Sequence, residues 1–374
     1  MADFRYLFYD LSTHRLIDAL PMSGVQFSYE LSGIGTLSGD IPLYADDLPA
    51  ERVREAILPY RTKVYVERDR QLVWGGWIHE EPSYDSSTGV VQVKAEQTLG
   101  YFSQRFMPTV TYSGQDQLDI ARSLIDSAQA AAGGDMWITT DPTVLSTVLR
   151  DRSYSEFDRS PVLTALTQLS EVINGFEFAV QVSYDGSVMP YELLLLGYPT
   201  LGRAGDASGI VLEYDRFSGL GNVESFTWSD SGTPLATRVW ASSETEEGVQ
   251  LVAMAERPDL VAIGYPLLEQ SETFDGVTNV ATLTAHAAAV QEFRSDVRIS
   301  ATVTVKAQTG LALGDFLLGD QMLCRFSDWR FPPGQGGSPG FQEFLRLVSF
   351  TVTPGSEGAE TYEFTMADFL NPLS

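Results

Sequence analysis

Much of the first 110 residues reads as short β-strands, and one run alternates apolar with other residues at the period of two of a half-buried strand. In VQFSYEL (25–31) the inward set is Val25, Phe27 and Tyr29. RYLFYDL (5–11), HRLIDALPM (14–22) and TLSGDIPLY (36–44) read as further strands, with SGIG (32–35) as a turn. LPAERVREAIL (48–58) predicts a short helix, with Asp47 placed to cap it and Pro49 in its first turn. TKVYVERD (62–69) and QLVWGGWIHEEPSYD (71–85) predict a hairpin, and GVVQVKAEQ (89–97) a strand after it.

The period changes after Pro108. In GQDQLDIARSLIDSAQAAAGG (114–134), Leu118, Ala121, Leu124, Ile125 and Ala128 share one helical face, and Gly133 and Gly134 close the helix. SPVLTALTQLSEVING (160–175) predicts a second helix, capped by Ser160, with Pro161 first and Gly175 last. Its stripe is Val162, Leu166, Leu169 and Ile173. FEFAVQVSY and PYELLLLGYP then predict two strands around the turn Asp185–Ser187.

From 204 onward the chain is again strand-like. GIVLEYD, NVESFTWSD, ATRVWASS and VQLVAMA follow one another, a helical run covers 279–293, and DVRISATVTVK (296–306) is a long strand. FPPGQGGSPG (331–340) is a loop between strands. A weak repeat relates the ends of the chain. The order TKVYVERD, QLVWGGWIHEEPSYD, VVQVKAEQTLGYF matches QMLCRFSD, EFLRLVSFTVTPGS, TYEFTMADFL in strand length and turn placement. The reading is therefore a mainly β protein with an α+β insertion. It predicts a β-barrel-like domain over 1–110, a helix-plus-strand domain over 111–203, and a second, similar β-rich domain over 204–374.

Composition adds bounds. At 374 residues the chain is long enough for two to four domains of about 100–200 residues. Its longest apolar block, near YELLLLGYP, is far short of the roughly 18 residues that span a bilayer. The N-terminus lacks the basic start and apolar run of a secretory signal. A single cysteine, Cys324, excludes an intrachain disulfide and fits folding in a cytoplasm. Fifty acidic against 24 basic residues give a net charge of -26, the opposite of a nucleic-acid reader's basic stripe.

Candidate chemistry is sparse. His79, Glu80 and Glu81 begin like a zinc helix, but HEEPS has no second histidine four residues on, and its segment reads as strand. His14, His79 and His286 are far apart in sequence. GIGTLSG (33–39) has the wrong glycine spacing for a dinucleotide loop. Neither GxxxxGK[ST] nor GxSxG occurs, and Cys324 has no histidine near it in sequence. Trp74 and Trp77 fall on opposite faces of one strand, so both faces need covering, and Gly75 and Gly76 permit a close approach. The sequence points to no catalytic residue, cofactor or metal ligand.

In order and local phrase the chain resembles the tail-hub (baseplate hub) proteins of tailed bacteriophages, the minor tail proteins of actinobacterial phages. The phrases are GWIHEEPSYDSSTGVVQVKAEQTLGYFSQR, LSEVINGFEF, LGYPTLGR, NVESFTWSDSGTPLATRVWA and LALGDFLLGD. The resemblance implies two similar barrels per chain, a helix-containing insertion and a homotrimeric ring closing the tail tube at its tip. It implies assembly in the host cytoplasm, with the distal tail protein, tape measure and tip or fibre proteins as neighbours. DNA would pass through without specific binding, and an acidic bore would keep phosphates off the wall. LYADDLPAE (43–51) and SETEEG (243–248) are the loops densest in acid. The alternative is a tail-tip protein that binds or hydrolyses cell-wall glycan through tryptophans and carboxylates.

Overall fold

The computed structural model describes residues 2–43, 49–172, 174–186, 189–229, 235–245, 248–274, 276–294, 299–305, 310–355 and 360–367. The four runs read as strands form β1 (Phe4–Asp10), β2 (Arg15–Leu20), β3 (Ser23–Glu30) and β4 (Thr36–Pro42), with burial alternating in β4 and at Val25 and Phe27 of β3. Helix α1 (Ala50–Ala56) starts after Pro49 with no side-chain cap, and Asp47 lies outside the described residues. Next come β5 (Thr62–Arg68), β6 (Gln71–Trp77), β7 (Ser83–Asp85) and β8 (Val90–Glu96). The expected strand over 71–85 is therefore two. β6 pairs with β5 and stops at Trp77, and β7 pairs with β8.

The middle of the chain forms β9 (Val110–Asp116), α2 (Gln117–Gln129), β10 (Ile138–Thr140), β11 (Leu149–Tyr154), α3 (Val162–Ser170), β12 (Glu177–Tyr184) and β13 (Pro190–Gly197). The first helix starts at Gln117, three residues into the run 114–134 and just before the first residue of its apolar stripe. Gly114–Asp116 extend β9 along β11, and the Asp116 carboxylate caps α2 by accepting from Leu118 N at 2.9 Å. Ser160 does not cap α3. Pro161 holds the N-cap position, and the Val162 N–H donates to the Arg105 carbonyl at 2.8 Å instead. Val162, Leu166 and Leu169 are buried as the stripe requires, while Ile173 and Ser187 lie outside the described residues.

The last part comprises β14 (Val211–Asp215), β15 (Val223–Ser229), β16 (Arg238–Glu244), β17 (Gln250–Glu256), α4 (Pro258–Ala262), β18 (Glu269–Thr273), α5 (Val280–Phe293), β19 (Ser300–Val305), β20 (Gln321–Ser327), β21 (Phe341–Pro354) and β22 (Glu360–Ala367). The four runs read as successive strands are β14 to β17, and they divide between two sheets. β16, β17 and β18 form their own three-stranded sheet, covered by α5 and centred on Ala241, Ala253, Phe274 and Leu283. This unit sits between β15 and β19, which pair directly with each other.

The fold is mainly β, with α1 packed on the main core through Val53 and Ala56 and the other α-helices in the middle part and the β16–α5 unit. Fourteen strands form one sheet whose main path is β15-β19-β22-β21-β3-β4-β8-β6-β5-β1-β2, with β20 joining β14 to β21. Two six-strand sets correspond in chain order and in neighbours. In the first, β1, β5, β6, β8, β4 and β3 lie side by side, and in the second β14, β20, β21, β22, β19 and β15 do. They differ at one edge, where β1 runs antiparallel to β5 but β14 runs parallel to β20. The sets meet where β21 pairs with β3, and one continuous core runs through both, from Phe8 and Trp74 to Phe326 and Phe364. The helix-plus-strand part has a separate core of α2, α3, β12 and β13 side chains.

Candidate functional site

The segment VWGGWIH lies at the seam between the first β set and the helix-plus-strand part. Trp74 is fully buried in the β core and donates from Nε1 to the Ser28 carbonyl at 3.0 Å. Trp77 points the other way, into the helical core, edge-on to Tyr60 and Tyr101 at 5.8 and 5.9 Å. The glycines between them admit close neighbours. A Cβ on Gly76 would lie 2.1 Å from the Glu96 carbonyl oxygen, and one on Gly75 would lie 2.8 Å from the Tyr65 ring and 2.9 Å from Val182. A bulkier residue at either place would push β12 off β6 or part β6 from β8.

The histidines and the cysteine do not come together. His79 Nε2 lies 3.5 Å from Glu80, which also pairs with Lys94 at 3.2 Å, and Glu81 is exposed. His286 stacks on Phe274 at 4.2 Å in the β16–α5 unit, and burial beside Arg152 lowers it to about 3. Cys324 is buried within β20, where burial pushes its thiol up to about 12. Among the described residues no three metal-ligating side chains form a group, and no helix is long and apolar enough to cross a membrane.

Sequence reasoning missed a charged pair at the seam. Lys63 on β5 and Glu192 on β13 are both fully buried, with Nζ and Oε1 2.5 Å apart. Lys63 also donates to the Met136 carbonyl at 2.7 Å, and the Thr98 hydroxyl donates to Glu192 at 2.8 Å. Burial lowers the Lys63 ammonium, and Glu192 opposes that shift. Next to the pair, Tyr65 meets His14 Nε2 at 3.4 Å, and its hydroxyl is raised by burial and then by Glu192. A signal was present in the sequence. Glu192 shares the inward phase of Leu194 and Leu196, where a lone carboxylate demands a buried partner.

A cavity of about 550 Å³ opens beside this pair, lined by His14, Asp126, Asp135, Trp137, Asp185 and Tyr191 among others. Burial, then Lys63, lowers His14 to about 4, against opposition from Asp135 and Asp185, so its ring is neutral at pH 7. Two more ion pairs tie the parts together. Arg346 on β21 grips Glu177 on β12, and Arg68 on β5 meets Glu360 on β22 at 2.5 Å. Spending arginines on internal pairs leaves the surface still richer in uncompensated carboxylates. The acid-dense stretches 43–51 and 243–248 lie partly outside the described residues, at 44–48 and 246–247.

No protein-family model matches the chain, and no curated protein does. Solved structures do. A tail protein from Neisseria meningitidis MC58 is similar at a TM-score of 0.58 and 12% identity, over 98% of this chain and 96% of that one. The 43 kDa tail protein of prophage MuSo2 from Shewanella oneidensis matches at 0.58 and 11%, over 97% and 98%. Prophage tail protein gp18 from Listeria monocytogenes EGD-e matches at 0.51 and 12%, over 98% and 95%. At such identities the likeness is one of fold.

Proposed function

We propose that this chain is a structural protein of a phage-type tail, a hub that forms a ring at the distal end of the tail tube. The observation that carries the reading is the match in both directions over nearly the whole length of two tail proteins. An architecture retained end to end at about 12% identity is a scaffold kept for its shape. The internal repeat supports the stoichiometry. Two corresponding six-strand sets per chain, used three times, make six similar units, which lets a threefold ring continue a sixfold tube with closed symmetry. The chain is not an enzyme on this reading. Its neighbours are the distal tail protein, the tape measure and tip or fibre proteins. The excess of carboxylates keeps passing DNA from sticking, because few basic groups are free to displace phosphate counterions.

Image reconstruction of assembled tails tests this. Three copies in a ring around an acidic bore are expected, and six copies, one copy, or a bore lined by arginine would overturn it. The free protein is expected to show no measurable affinity for duplex DNA at physiological salt in a fluorescence anisotropy titration.

A further inference from the structure

The sheet of β16, β17 and β18 has one face under α5 and the other bare. Ala241 and Ala253 share a core with Leu283 and Ala287 of α5, whereas Trp240, Val252 and Met254 stand on the opposite face, 37%, 56% and 40% exposed. The strand order is β17-β16-β18, so β17 is an edge, and among the described residues no strand lies beyond it. The backbone phase of that edge follows from the two ends of the β16–β17 ladder. The Thr245 N–H donates to the Val249 carbonyl at 3.0 Å, and the Arg257 N–H donates to the Thr237 carbonyl at 2.9 Å. Between them the register runs without a shift, and hydrogen-bonded pairs alternate with non-hydrogen-bonded ones. Gln250, Val252, Met254 and Glu256 therefore hold non-hydrogen-bonded places, with N–H and C=O directed away from β16 toward the open edge. Their side chains are also the exposed ones of the strand. Natural edges are blunted by lysine, proline, a bulge or charge. β18, the other edge, carries Glu269 and Glu272, but the centre of β17, residues 251–255, is uncharged, free of proline and regular.

We propose that β17 receives an extended segment of a partner protein as a fourth strand of this sheet. The inference stands on the insertion alone and does not depend on the tail reading. Val252 and Met254 supply the backbone ladder, and alternate side chains of the incoming strand lie beside theirs, widening the apolar strip that Trp240 begins. Trp240 is held in place by its Nε1, which donates to Glu269 at 3.0 Å. Charge selects the occupant. On the bare face Glu244, Glu256 and Glu269 stand against Arg238, which is shared between Glu256 at 3.0 Å and Glu269 at 3.3 Å. The occupant is therefore apolar at its centre and basic at both ends, near Glu256 and near Glu244. A second copy of this chain fits worse. Its own β17 holds no basic residue, and a net charge of -26 on each chain opposes the approach. One short strand buries far less than the roughly 800 Å² per partner of a stable interface, so the segment by itself binds weakly.

The test titrates the purified protein into the peptide GRAVTVTKG, amidated at its C-terminus and labelled with fluorescein at its N-terminus. In antiparallel register it sets arginine opposite Glu256, valines opposite Met254 and Val252, and lysine opposite Gln250. Fluorescence anisotropy should saturate with a Kd on the order of 100 µM. N-methylation of both valines removes the donors that face β17 and leaves shape and charge in place, and it should weaken binding about tenfold. The acidic counterpart GEAVTVTEG should also bind about tenfold more weakly. Val252→Pro removes a donor at the open edge and none from the β16 ladder, so binding should fall about tenfold with an unchanged melting temperature. If that variant does not fold, the methylated peptide on the native chain decides alone. Four results would overturn the proposal: the methylated peptide binding as well as its parent, the acidic one doing so, no anisotropy change at protein concentrations on the order of 1 mM, or self-association of the protein in sedimentation velocity that Val252→Pro abolishes, which would give the edge to a second copy.

Discussion

The two six-strand sets have the same neighbours and very different connections. In the first, β3 passes to β4 through residues 31–35. In the second, the corresponding β15 and β19 are separated by 230–299, which hold an entire sheet-and-helix unit. The strand pair is nonetheless made in both. Closing a longer loop costs only about 0.6 kcal/mol per doubling of length, and an insertion with its own core offsets its own ordering entropy. Sheet neighbours therefore define this scaffold, and connections are where it varies. The short connection is the more constrained of the two. The Gln97 N–H donates to the Gly35 carbonyl at 2.8 Å, the Gly35 N–H donates to Gln97 Oε1 at 2.9 Å, and a Cβ on Gly35 would lie 2.0 Å from the Ser28 carbonyl oxygen.

The largest predicted difference lies in how each set is fastened to the helix-plus-strand part. The first uses Lys63–Glu192, and the second uses Arg346–Glu177. Removing the acid's charge strands the cation in each case, but not equally. Lys63 would keep the Met136 carbonyl as acceptor, whereas Arg346 would keep at least two, donating to Gly319 and Leu201 at 2.9 and 2.8 Å. A guanidinium is also more weakly hydrated than an ammonium, so burying it unpaired costs less. Glu192→Gln should destabilise by about 3–5 kcal/mol and Glu177→Gln by about 1–2 kcal/mol, read from urea unfolding. Restoring most of the loss with Lys63→Met in the Glu192→Leu background would sharpen the comparison, since a buried pair contributes little beyond apolar packing. Equal costs for the two single variants would break it.

A smaller effect tests the connections themselves. Gly35→Ala should cost about 1–3 kcal/mol, because backbone on β3 has to move to admit the methyl group. Three residues added within 230–234 should cost under about 0.5 kcal/mol on the loop-closure argument. Melting temperatures of the two variants decide this, and a larger loss from the added residues would mean that the second connection is as tightly specified as the first.

Much of this fold was legible because period two identifies which residues of a strand face inward. Val25 and Phe27 are buried in the places their phase assigns, Tyr29 is half-buried, and Trp74 and Trp77 do enter different cores. Periodicity is silent about which strand lies alongside. β16 and β17 alternate like the rest, Val239, Ala241 and Ala253 inward and Trp240, Val252 and Met254 outward, yet they belong to another sheet. β9 escaped notice because VTYSGQD has almost no apolar phase, and Gly114 adopts φ +57° where its pairing with β11 slips register. The Lys63–Glu192 pair depends on a contact 129 residues apart in sequence, which no local pattern encodes.

The last contrast sets His14, in the first β set, against His286, in the insertion of the second. Burial holds both neutral at pH 7, His14 at about 4 and His286 at about 3. An unfolded imidazole titrates near 6.5, so below that pH the unfolded chain binds a proton that the folded one refuses. Stability is then fully present above about 6.5 and falls as pH falls, by about 1.4 kcal/mol per unit for each imidazole. Asp10, held far below the usual carboxylate range by Ser12 and Thr13, loses its contribution only below about 3.9 and leaves this window clear. The two histidines differ in their surroundings. Asp135 and Asp185 act against the lowering of His14, whereas the charges acting on His286 are Arg152 and Arg150. The His14 contribution should therefore level off near pH 4 and that of His286 should continue toward pH 3. Urea unfolding at pH 6.5 and 5.5 should show a drop of about 2 kcal/mol, halved in His14→Gln and in His286→Gln alike. A flat profile, or an unchanged slope in both variants, contradicts the assignment. If the insertion unfolds before the sheet, the His286 share will appear only in that earlier transition, which would show that the insertion draws its stability from its own core.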